Sequence, residues 1–318
     1  MSFGNMKWPF TSLRILVIGV FISLAKGQSP FVMDSTLSSI IPQSISNSIQ
    51  IADINNDGYN DIIYSGYDPT RSGLFIDVIR GNNEGTLSQG YQTNFTTYPD
   101  TIAEFMGGLG NISLADVNLD GYIDIYINGS AKSKLLFNSS GSSFNETSWL
   151  ENMSVTYSYG TWADANMDGR PDLFLMGVNE YSDNILNELF INQSNNLIKD
   201  PTTIFPSLFT GSNTWGDYDN DGDPDLIISG QTANPNSSVS RLYQNDPIGR
   251  LTEVTTATAI KGLKAGTSHF TDLDSDGDLD LIVTGWNKIE GKLTTSLLEN
   301  EPLGTFSPFE NQLDFAVA

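Results

Sequence analysis

The hydrophobic and polar positions of this chain follow one pattern that returns five times. In each return an apolar residue stands two positions before an acidic loop, and a short apolar run closed by glycine follows the loop. Runs such as residues 173–176 and 226–228 are apolar at consecutive positions, which predicts strands buried on both faces. A strand, an acidic loop and a second strand together predict a β-hairpin whose turn is the loop.

Two further strand signals complete each return. An apolar segment ending in asparagine follows the hairpin at residues 135–138, 189–192, 242–245 and 297–300, the last two carrying a polar residue before the asparagine. An outer apolar stretch is centred near Leu87, Phe144, Leu197, Leu251 and Phe306. Four short strands in roughly 55 residues, repeated in tandem, are typical of propeller blades. The sequence therefore predicts an all-β fold, a β-propeller of about five four-stranded blades with acidic hairpin loops.

Closure of this propeller is left open by the sequence. Residues 31–33 fit an outer strand that arrives before the first loop, and Phe306 to Phe309 fit its counterpart at the other end. A small closed propeller, an open arc and a fragment of a longer protein all agree with this pattern.

The five loops share the motif D-x-[DN]-x-D-G-x-x-D, which recurs after 63, 48, 53 and 55 residues. Positions 1, 3, 5 and 9 place three or four carboxylates and an amide around one point, and position 7 can add its backbone carbonyl. The predicted metal ligands are Asp53, Asn55, Asp57, Tyr59 and Asp61; Asp116, Asn118, Asp120, Tyr122 and Asp124; Asp164, Asn166, Asp168, Arg170 and Asp172; Asp217, Asp219, Asp221, Asp223 and Asp225; Asp272, Asp274, Asp276, Asp278 and Asp280.

Hard oxygen ligands in a flexible loop favour calcium over magnesium, and up to five Ca²⁺ ions are expected. The loops are not EF-hands, because an EF-hand needs a bidentate glutamate at position 12. That position is held here by Tyr64, Ile127, Leu175, Ile228 and Val283. The alternative is that the loops are plain Asp/Asn/Gly turns, which these residues form without metal.

These motifs resemble the FG-GAP/VCBS repeats, which form the propeller of integrin α subunits and of many secreted and surface proteins. The similarity covers residues 49 to about 309 and includes the loop motif, the strand that follows it and the Leu-x-x-Asn strand. The resemblance implies a propeller with calcium in loops on one rim, ligated by the Asp and Asn residues named above.

The first 27 residues indicate where the protein is located. Lys7 and Arg14 precede an apolar run over residues 15–24, and Ala25-Lys26-Gly27 follows, as in a secretory signal peptide. The run is too short to span a bilayer. We therefore expect a secreted, extracellular protein with a signal peptide at residues 1–27 and the FG-GAP/VCBS-type propeller at residues 28–318.

The composition restricts the classes of partner that this protein is expected to bind. The formal net charge of −23 argues against nucleic acid and anionic membrane surfaces, and the absence of cysteine excludes disulfides as the source of stability. Eight N-glycosylation sequons predict exposed glycan acceptors: Asn94, Asn111, Asn128, Asn138, Asn145, Asn152, Asn192 and Asn236.

The function favoured by these observations is a binding or adhesion module for an extracellular protein or glycan, with structural calcium. A polysaccharide lyase or glycoside hydrolase is the second reading, for which Asp100, Glu104, Glu146, Glu180 and His269 are candidates without a selected pair. A structural coat or filament component is the third, with self-association through open edge strands. For Trp149, Trp162, Trp215 and Trp286, core packing is favoured over a sugar pocket.

Overall fold

The computed structural model describes residues 45–68, 73–83, 88–95, 111–128, 133–150, 155–179, 184–194, 196–257, 259–301 and 305–309. The signal peptide and the strand expected at residues 31–33 lie outside these residues. So do Leu87, Asp100, Glu104, Asn152 and Glu180.

The described residues form five antiparallel sheets of four strands each, every sheet built from four consecutive strands. We refer to the sheets in chain order as blades 1 to 5. The strands of blades 1 and 2 are β1 (Ile45–Ala52), β2 (Asp61–Asp68), β3 (Gly73–Arg80), β4 (Ser88–Phe95), β5 (Asn111–Ala115), β6 (Asp124–Asn128), β7 (Lys134–Ser139) and β8 (Ser143–Glu146). A single turn of 3-10 helix, Ser148–Leu150, leads away from blade 2.

Blades 3 to 5 repeat this order. Their strands are β9 (Val155–Ala163), β10 (Asp172–Asn179), β11 (Ile185–Asn192), β12 (Leu197–Lys199), β13 (Leu208–Gly216), β14 (Asp225–Thr232), β15 (Ser238–Gln244), β16 (Thr252–Glu253), β17 (Lys264–Thr271), β18 (Asp280–Asn287), β19 (Lys292–Glu301) and β20 (Thr305–Pro308). The prediction of an all-β fold with five four-stranded repeats is confirmed.

In blades 2 to 5 the second strand is the most deeply buried, as its uninterrupted apolar pattern predicted. In β10 and β14 the first six residues are all buried, including the aspartate that opens each strand. A strand buried on both faces must have a layer against each face. In this chain the layers are the neighbouring blades.

The core consists of clusters that lie between consecutive blades. One cluster joins Ile63 and Ile76 of blade 1 to Ile112 and Ile125 of blade 2, and all four side chains are fully buried. Equivalent clusters join blades 2 and 3, blades 3 and 4, and blades 4 and 5. Since burying one such side chain contributes about 1.5–3 kcal/mol, blade-to-blade packing is a main source of stability.

The first strands of the blades run side by side: β1 packs on β5, β5 on β9, β9 on β13 and β13 on β17. This is the arrangement of propeller blades around a central axis. It also places the five acidic loops, each joining the first and second strands of its blade, along the same edge of the array.

Candidate metal-binding loops

The five loops share one backbone conformation. Position 4 is left-handed in every loop, with φ between 56° and 68°, although its residue is Asn56, Leu119, Met167, Asn220 or Ser275. The glycine at position 6 is also left-handed, with φ between 87° and 100°. A Cβ at that glycine would meet no atom within 4 Å, so glycine is needed there for its conformation and not for space.

The aspartate at position 1 organises the turn. In loop 1 the Asp53 carboxylate accepts the backbone N–H groups of Asp57 at 3.1 Å and Gly58 at 2.8 Å. Loops 2, 3 and 4 repeat both hydrogen bonds. In loop 5, Asp272 instead accepts from Ser275 at 2.6 Å.

Position 5 closes the turn in all five loops. Its carboxylate accepts the N–H of the residue at position 7, at 2.9 to 3.2 Å. Five loops of different sequence therefore share one folded turn, and the side chains at positions 3 and 7 are what distinguish them.

Position 3 divides the loops into two groups. In loops 1 to 3 it is asparagine, and its side-chain amide donates to the aspartate at position 5, as Asn55 does to Asp57 at 2.8 Å. In loops 4 and 5 it is aspartate, which has no hydrogen to donate. Oxygen ligands from Asp217, Asp219 and Asp225 lie within 4.8 Å of one another in loop 4, and those of Asp272, Asp274 and Asp276 do so in loop 5.

The carboxylates of loops 4 and 5 carry oxygens without partners. Oδ1 of Asp219, Oδ2 of Asp223 and Oδ1 of Asp278 are buried and receive no hydrogen bond. Asp223 as a whole is only 3% exposed. Burial and the neighbouring carboxylates raise the pKa of Asp223 to about 6 and that of Asp278 to about 6. A buried carboxylate that is short of donors is stabilised by a proton or by a cation, and this set of oxygen donors fits Ca²⁺.

Position 7 was predicted to add its backbone carbonyl. In loops 4 and 5 its side chain is a further acidic group, Asp223 or Asp278, whereas loops 1 to 3 have Tyr59, Tyr122 and Arg170. The sequence signal was visible as a fifth aspartate in each of these two loops. Arg170 places a cationic guanidinium in loop 3, and its Nε donates to Ser194 at 3.1 Å.

The aspartate at position 9 is part of the blade as well as of the loop. These five residues open the second strands and are fully buried: Asp61, Asp124, Asp172, Asp225 and Asp280. One oxygen accepts the N–H of the residue at position 2 and the other accepts an N–H at the end of the third strand.

Burial raises the pKa of Asp61, Asp124, Asp172 and Asp225 even though at least two backbone N–H groups oppose the shift in each case. The pKa is about 6 for Asp124, about 7 for Asp172 and about 7 for Asp225. For Asp61 burial also raises the pKa, and the Arg80 guanidinium at 3.4 Å counteracts it.

Most of the candidate catalytic and sugar-binding residues outside the loops, where the structure describes them, contact other side chains of the blades. Glu146 pairs with Lys134 at 2.7 Å, and His269 is exposed beside the Thr267 hydroxyl at 3.4 Å. Trp149 packs edge-on against Phe137 at 5.2 Å between ring centroids, Trp162 against Tyr126 at 6.0 Å and Trp215 against Phe174 at 6.4 Å. Core packing is therefore confirmed for these three tryptophans, while Trp286 is 37% exposed.

Two sequon predictions are wrong. Asn138 and Asn192 were expected on exposed loops, but they are only 2% and 1% exposed. Their side-chain amides donate to the backbone carbonyls of Ile54 and Val117 in the preceding blade. A glycan needs that same nitrogen in solvent, so neither residue is an acceptor in the folded protein. Asn145 and Asn236 are exposed, as predicted.

In the part of the chain that the structure describes, no helix has the length and apolar character needed to cross a membrane.

A comparison with known protein families identifies the same repeats as the structure does. The model of the FG-GAP-like repeat matches four times, over residues 53–127, 116–175, 164–228 and 217–283, and so covers well over half of the chain. No curated protein matches the sequence.

Solved structures add information about the fold. An Agrocybe aegerita lectin, described as recognising non-reducing terminal N-acetylglucosamine, is similar with a TM-score of 0.57 and 18% identity over 86% of this chain and 68% of the lectin. An endo-1,4-beta-xylanase from Bacteroides thetaiotaomicron has a TM-score of 0.41 and 10% identity over 84% of this chain and 96% of its own. At these identities the likeness concerns the fold alone.

Proposed function

The chain belongs to the FG-GAP-like repeat family, and from this premise we propose that it is a secreted, calcium-loaded propeller that binds an extracellular protein or glycan. The calcium is structural and holds the loop edge in one conformation. Secretion is supported by the signal-peptide pattern of residues 1–27.

The observation that carries the calcium proposal is the set of unpartnered buried oxygens in loops 4 and 5. Leaving a buried carboxylate oxygen without a donor costs free energy that a bound cation recovers. Loops 1 to 3 offer the same backbone with an amide at position 3 and no acidic side chain at position 7. They are expected to bind calcium more weakly.

A binding module is favoured over an enzyme by the surroundings of the described catalytic candidates. The Glu146 carboxylate is paired with Lys134, and the His269 ring lies next to a threonine hydroxyl. Hydrolysis of a glycosidic bond requires two carboxylates, and the contacts that the structure gives these two groups are with a lysine and a threonine instead. The FG-GAP-like repeats themselves provide the packed blades and the candidate metal-binding loops.

The glycan part of the proposal is supported by the fold that this chain shares with a lectin. A secreted chain with a strongly negative charge is suited to neutral or basic partners. We therefore place neutral saccharides and basic protein surfaces first among the ligands to test.

The first test is calorimetric titration of calcium into the chelator-treated mature chain, with a thermal melt at each end point. About five ions and a large rise in melting temperature support the proposal, whereas one ion or none contradicts the calcium part. N-terminal sequencing of the secreted protein should begin at Gln28; retention of residues 1–27 would contradict cleavage.

The second test is a glycan and protein array probed with the calcium-loaded chain. Retention without turnover supports the binding module, and new reducing or unsaturated ends would replace it with an enzyme. A matched control is the Asp217→Asn/Asp219→Asn variant, which removes two carboxylates from loop 4. Loss of retention in that variant shows that the ligand needs an ordered loop edge.

A further inference from the structure

Four buried asparagines occupy the same place in blades 2 to 5, at the end of the third strand. They are at most 4% exposed: Asn138, Asn192, Asn245 and Asn300. The backbone N–H of each donates to the position-9 aspartate of its own blade at 2.8 or 2.9 Å. Each asparagine is thereby fixed to its own acidic loop.

The side chain of each asparagine reaches into the preceding blade. Its amide nitrogen donates to the backbone carbonyl of the residue at position 2 of the neighbouring loop, 75 to 84 residues away in sequence. These bonds join Asn138 to Ile54 at 2.7 Å, Asn192 to Val117 at 2.9 Å, Asn245 to Ala165 at 2.8 Å and Asn300 to Tyr218 at 2.6 Å. We call these four side chains the latches.

The residue at position 2 connects the latch to the loop that it touches. Its carbonyl accepts the latch, and its N–H donates to the position-9 aspartate of the same loop, as Ala165 does to Asp172 at 3.0 Å. Every latch therefore links two position-9 aspartates through short hydrogen-bonded steps. The repeated steps form one relay along the loop edge, which runs through Asp280, Asn300, Tyr218, Asp225, Asn245, Ala165, Asp172, Asn192, Val117, Asp124, Asn138, Ile54 and Asp61.

Within the described residues, the relay ends at blade 1 on one side and at blade 5 on the other. In blade 1 the equivalent residue is Gly81, which keeps the N–H bond to Asp61 at 2.8 Å but has no side chain to reach a neighbour. At the other end Leu273, at position 2 of loop 5, is 39% exposed, whereas the other four residues at this position are at most 4% exposed. A latch is thus present at each of the four loops whose position-2 residue is buried by the next blade.

We propose that the latches couple calcium loading between neighbouring loops, so that filling one loop raises the affinity of the next. This inference rests on the calcium loading in the proposed function. An ion held by the clustered carboxylates, which are at positions 1, 3 and 9 in loop 4 and at positions 1, 3 and 5 in loop 5, would fix the loop backbone, including the position-2 carbonyl that the latch requires. The fixed latch in turn holds the backbone N–H that supports the neighbouring position-9 carboxylate. Coupling of this kind is reciprocal, since each loop must change the affinity of the other by the same factor.

The test uses loops 3 and 4, which Asn245 joins. Amide hydrogen exchange of the mature full chain is followed by mass spectrometry while free calcium is varied, and the loop 4 midpoint is read from peptides that contain Asp221 and Gly222. Asp168→Asn removes a carboxylate from loop 3 without touching loop 4. We expect it to raise the calcium midpoint of loop 4 by about fivefold.

The same change in an Asn245→Ala background should leave the loop 4 midpoint where Asn245→Ala alone puts it. A latch with only a structural role would lower stability but would not abolish this shift. Reciprocally, Asp221→Asn should raise the midpoint of loop 3 when Asn245 is present. The matched control is Asn234→Ala, an exposed asparagine in the turn between β14 and β15 of the same blade, which should preserve the coupling.

Three results would overturn the inference in distinguishable ways. If loop 4 of the unchanged chain shows no calcium-dependent protection, calcium loading is wrong and the coupling with it. If protection appears but Asp168→Asn does not move the loop 4 midpoint, calcium loading stands and the coupling is wrong. If the shift persists in Asn245→Ala, the coupling does not pass through the latch. Should Asn245→Ala fail to fold, Asn300→Ala with Asp221→Asn gives the same test between loops 4 and 5.

Discussion

Loops 1 to 3 and loops 4 to 5 have the same backbone but different charge. Each of the first three carries three aspartates and an asparagine at position 3, while each of the last two carries five aspartates. In the first group the asparagine amide donates to the position-5 carboxylate. In the second group acidic oxygens remain buried without partners. The same fold thus includes loops whose position-3 side chain is hydrogen-bonded within the turn and loops whose acidic oxygens lack donors.

This difference shows that the motif specifies the turn while positions 3 and 7 set the number of acidic side chains inside it. Left-handed residues at positions 4 and 6 and the carboxylates at positions 1 and 5 build the turn in every loop. Like charges added inside that turn raise the cost of the metal-free state. We therefore expect the two groups to respond differently to the same treatment.

The largest effect should come from removing calcium. If free calcium is about ten times the dissociation constant at each site, each ion contributes about 1.4 kcal/mol and five contribute about 7 kcal/mol. Chelation should lower the melting temperature by more than 10 °C, and amide exchange should rise most in loops 4 and 5. A melt that is insensitive to chelator, or a uniform rise in exchange over all five loops, would break the comparison.

Calcium should abolish a pH dependence that the metal-free protein shows. Burial raises the folded pKa of Asp172 and Asp225 to about 7, above the ordinary value of 3.8. Without metal the folded state then binds more protons than the unfolded state over this range, so stability falls as pH rises from about 4 to 7. In saturating calcium these carboxyl groups are ionised in the folded state, and above about pH 5 they are ionised in the unfolded state as well, so stability should change little between pH 5 and pH 7.5.

Thermal melts at pH 5 and pH 7.5, with chelator and with calcium, check this prediction. Chelated protein should melt several degrees higher at pH 5 than at pH 7.5, whereas loaded protein should melt at nearly the same temperature at both pH values. An equal difference between the two pH values in both conditions would show that the position-9 carboxyl groups are not linked to the metal.

Exchanging asparagine and aspartate at position 3 should transfer the calcium dependence of loops 4 and 5 to loop 3, and the weaker dependence of loops 1 to 3 to loop 4. Asp219→Asn gives loop 4 an amide that can donate to Asp221, so its metal-free state should gain stability and its calcium midpoint should rise about tenfold, or about 1.4 kcal/mol. Asn166→Asp should make loop 3 more dependent on calcium. Local amide exchange in chelator and in calcium measures both, and equal responses of the two variants would contradict the role of position 3.

The smallest and most uniform effect should come from the loop glycines. Gly169→Ala and Gly222→Ala place a Cβ on a left-handed residue, which costs roughly 1–2 kcal/mol in either loop. Because the two loops share their backbone, the two losses in unfolding free energy should be similar. A much larger loss at Gly222 would mean that the groups differ in backbone as well as in charge.

Much of the fold follows from the sequence because its signals are local. Consecutive apolar residues in the second strands, the repeated loop motif and the regular spacing were enough to predict the hairpins and the four-stranded repeats. The backbone of the candidate loops was predicted as well, since aspartate, asparagine and glycine at fixed offsets have strong local preferences.

The sequence did not reveal the role of the asparagine that ends the third strand. As the first residue of a sequon, Asn138 or Asn192 reads as an exposed glycan acceptor, whereas the structure buries both in the preceding blade. Their hydrogen-bond partners are 84 and 75 residues away. No local pattern encodes such a contact.

The sequence by itself determined the strands, the turn of each loop and the number of acidic groups that each loop contains, because these depend on neighbouring residues. Only the tertiary structure decided which oxygens are left without donors, which carboxyl groups have raised pKa values and which blade fastens which loop. Those properties depend on burial between blades, and burial is set by residues that are distant in the chain and adjacent in space.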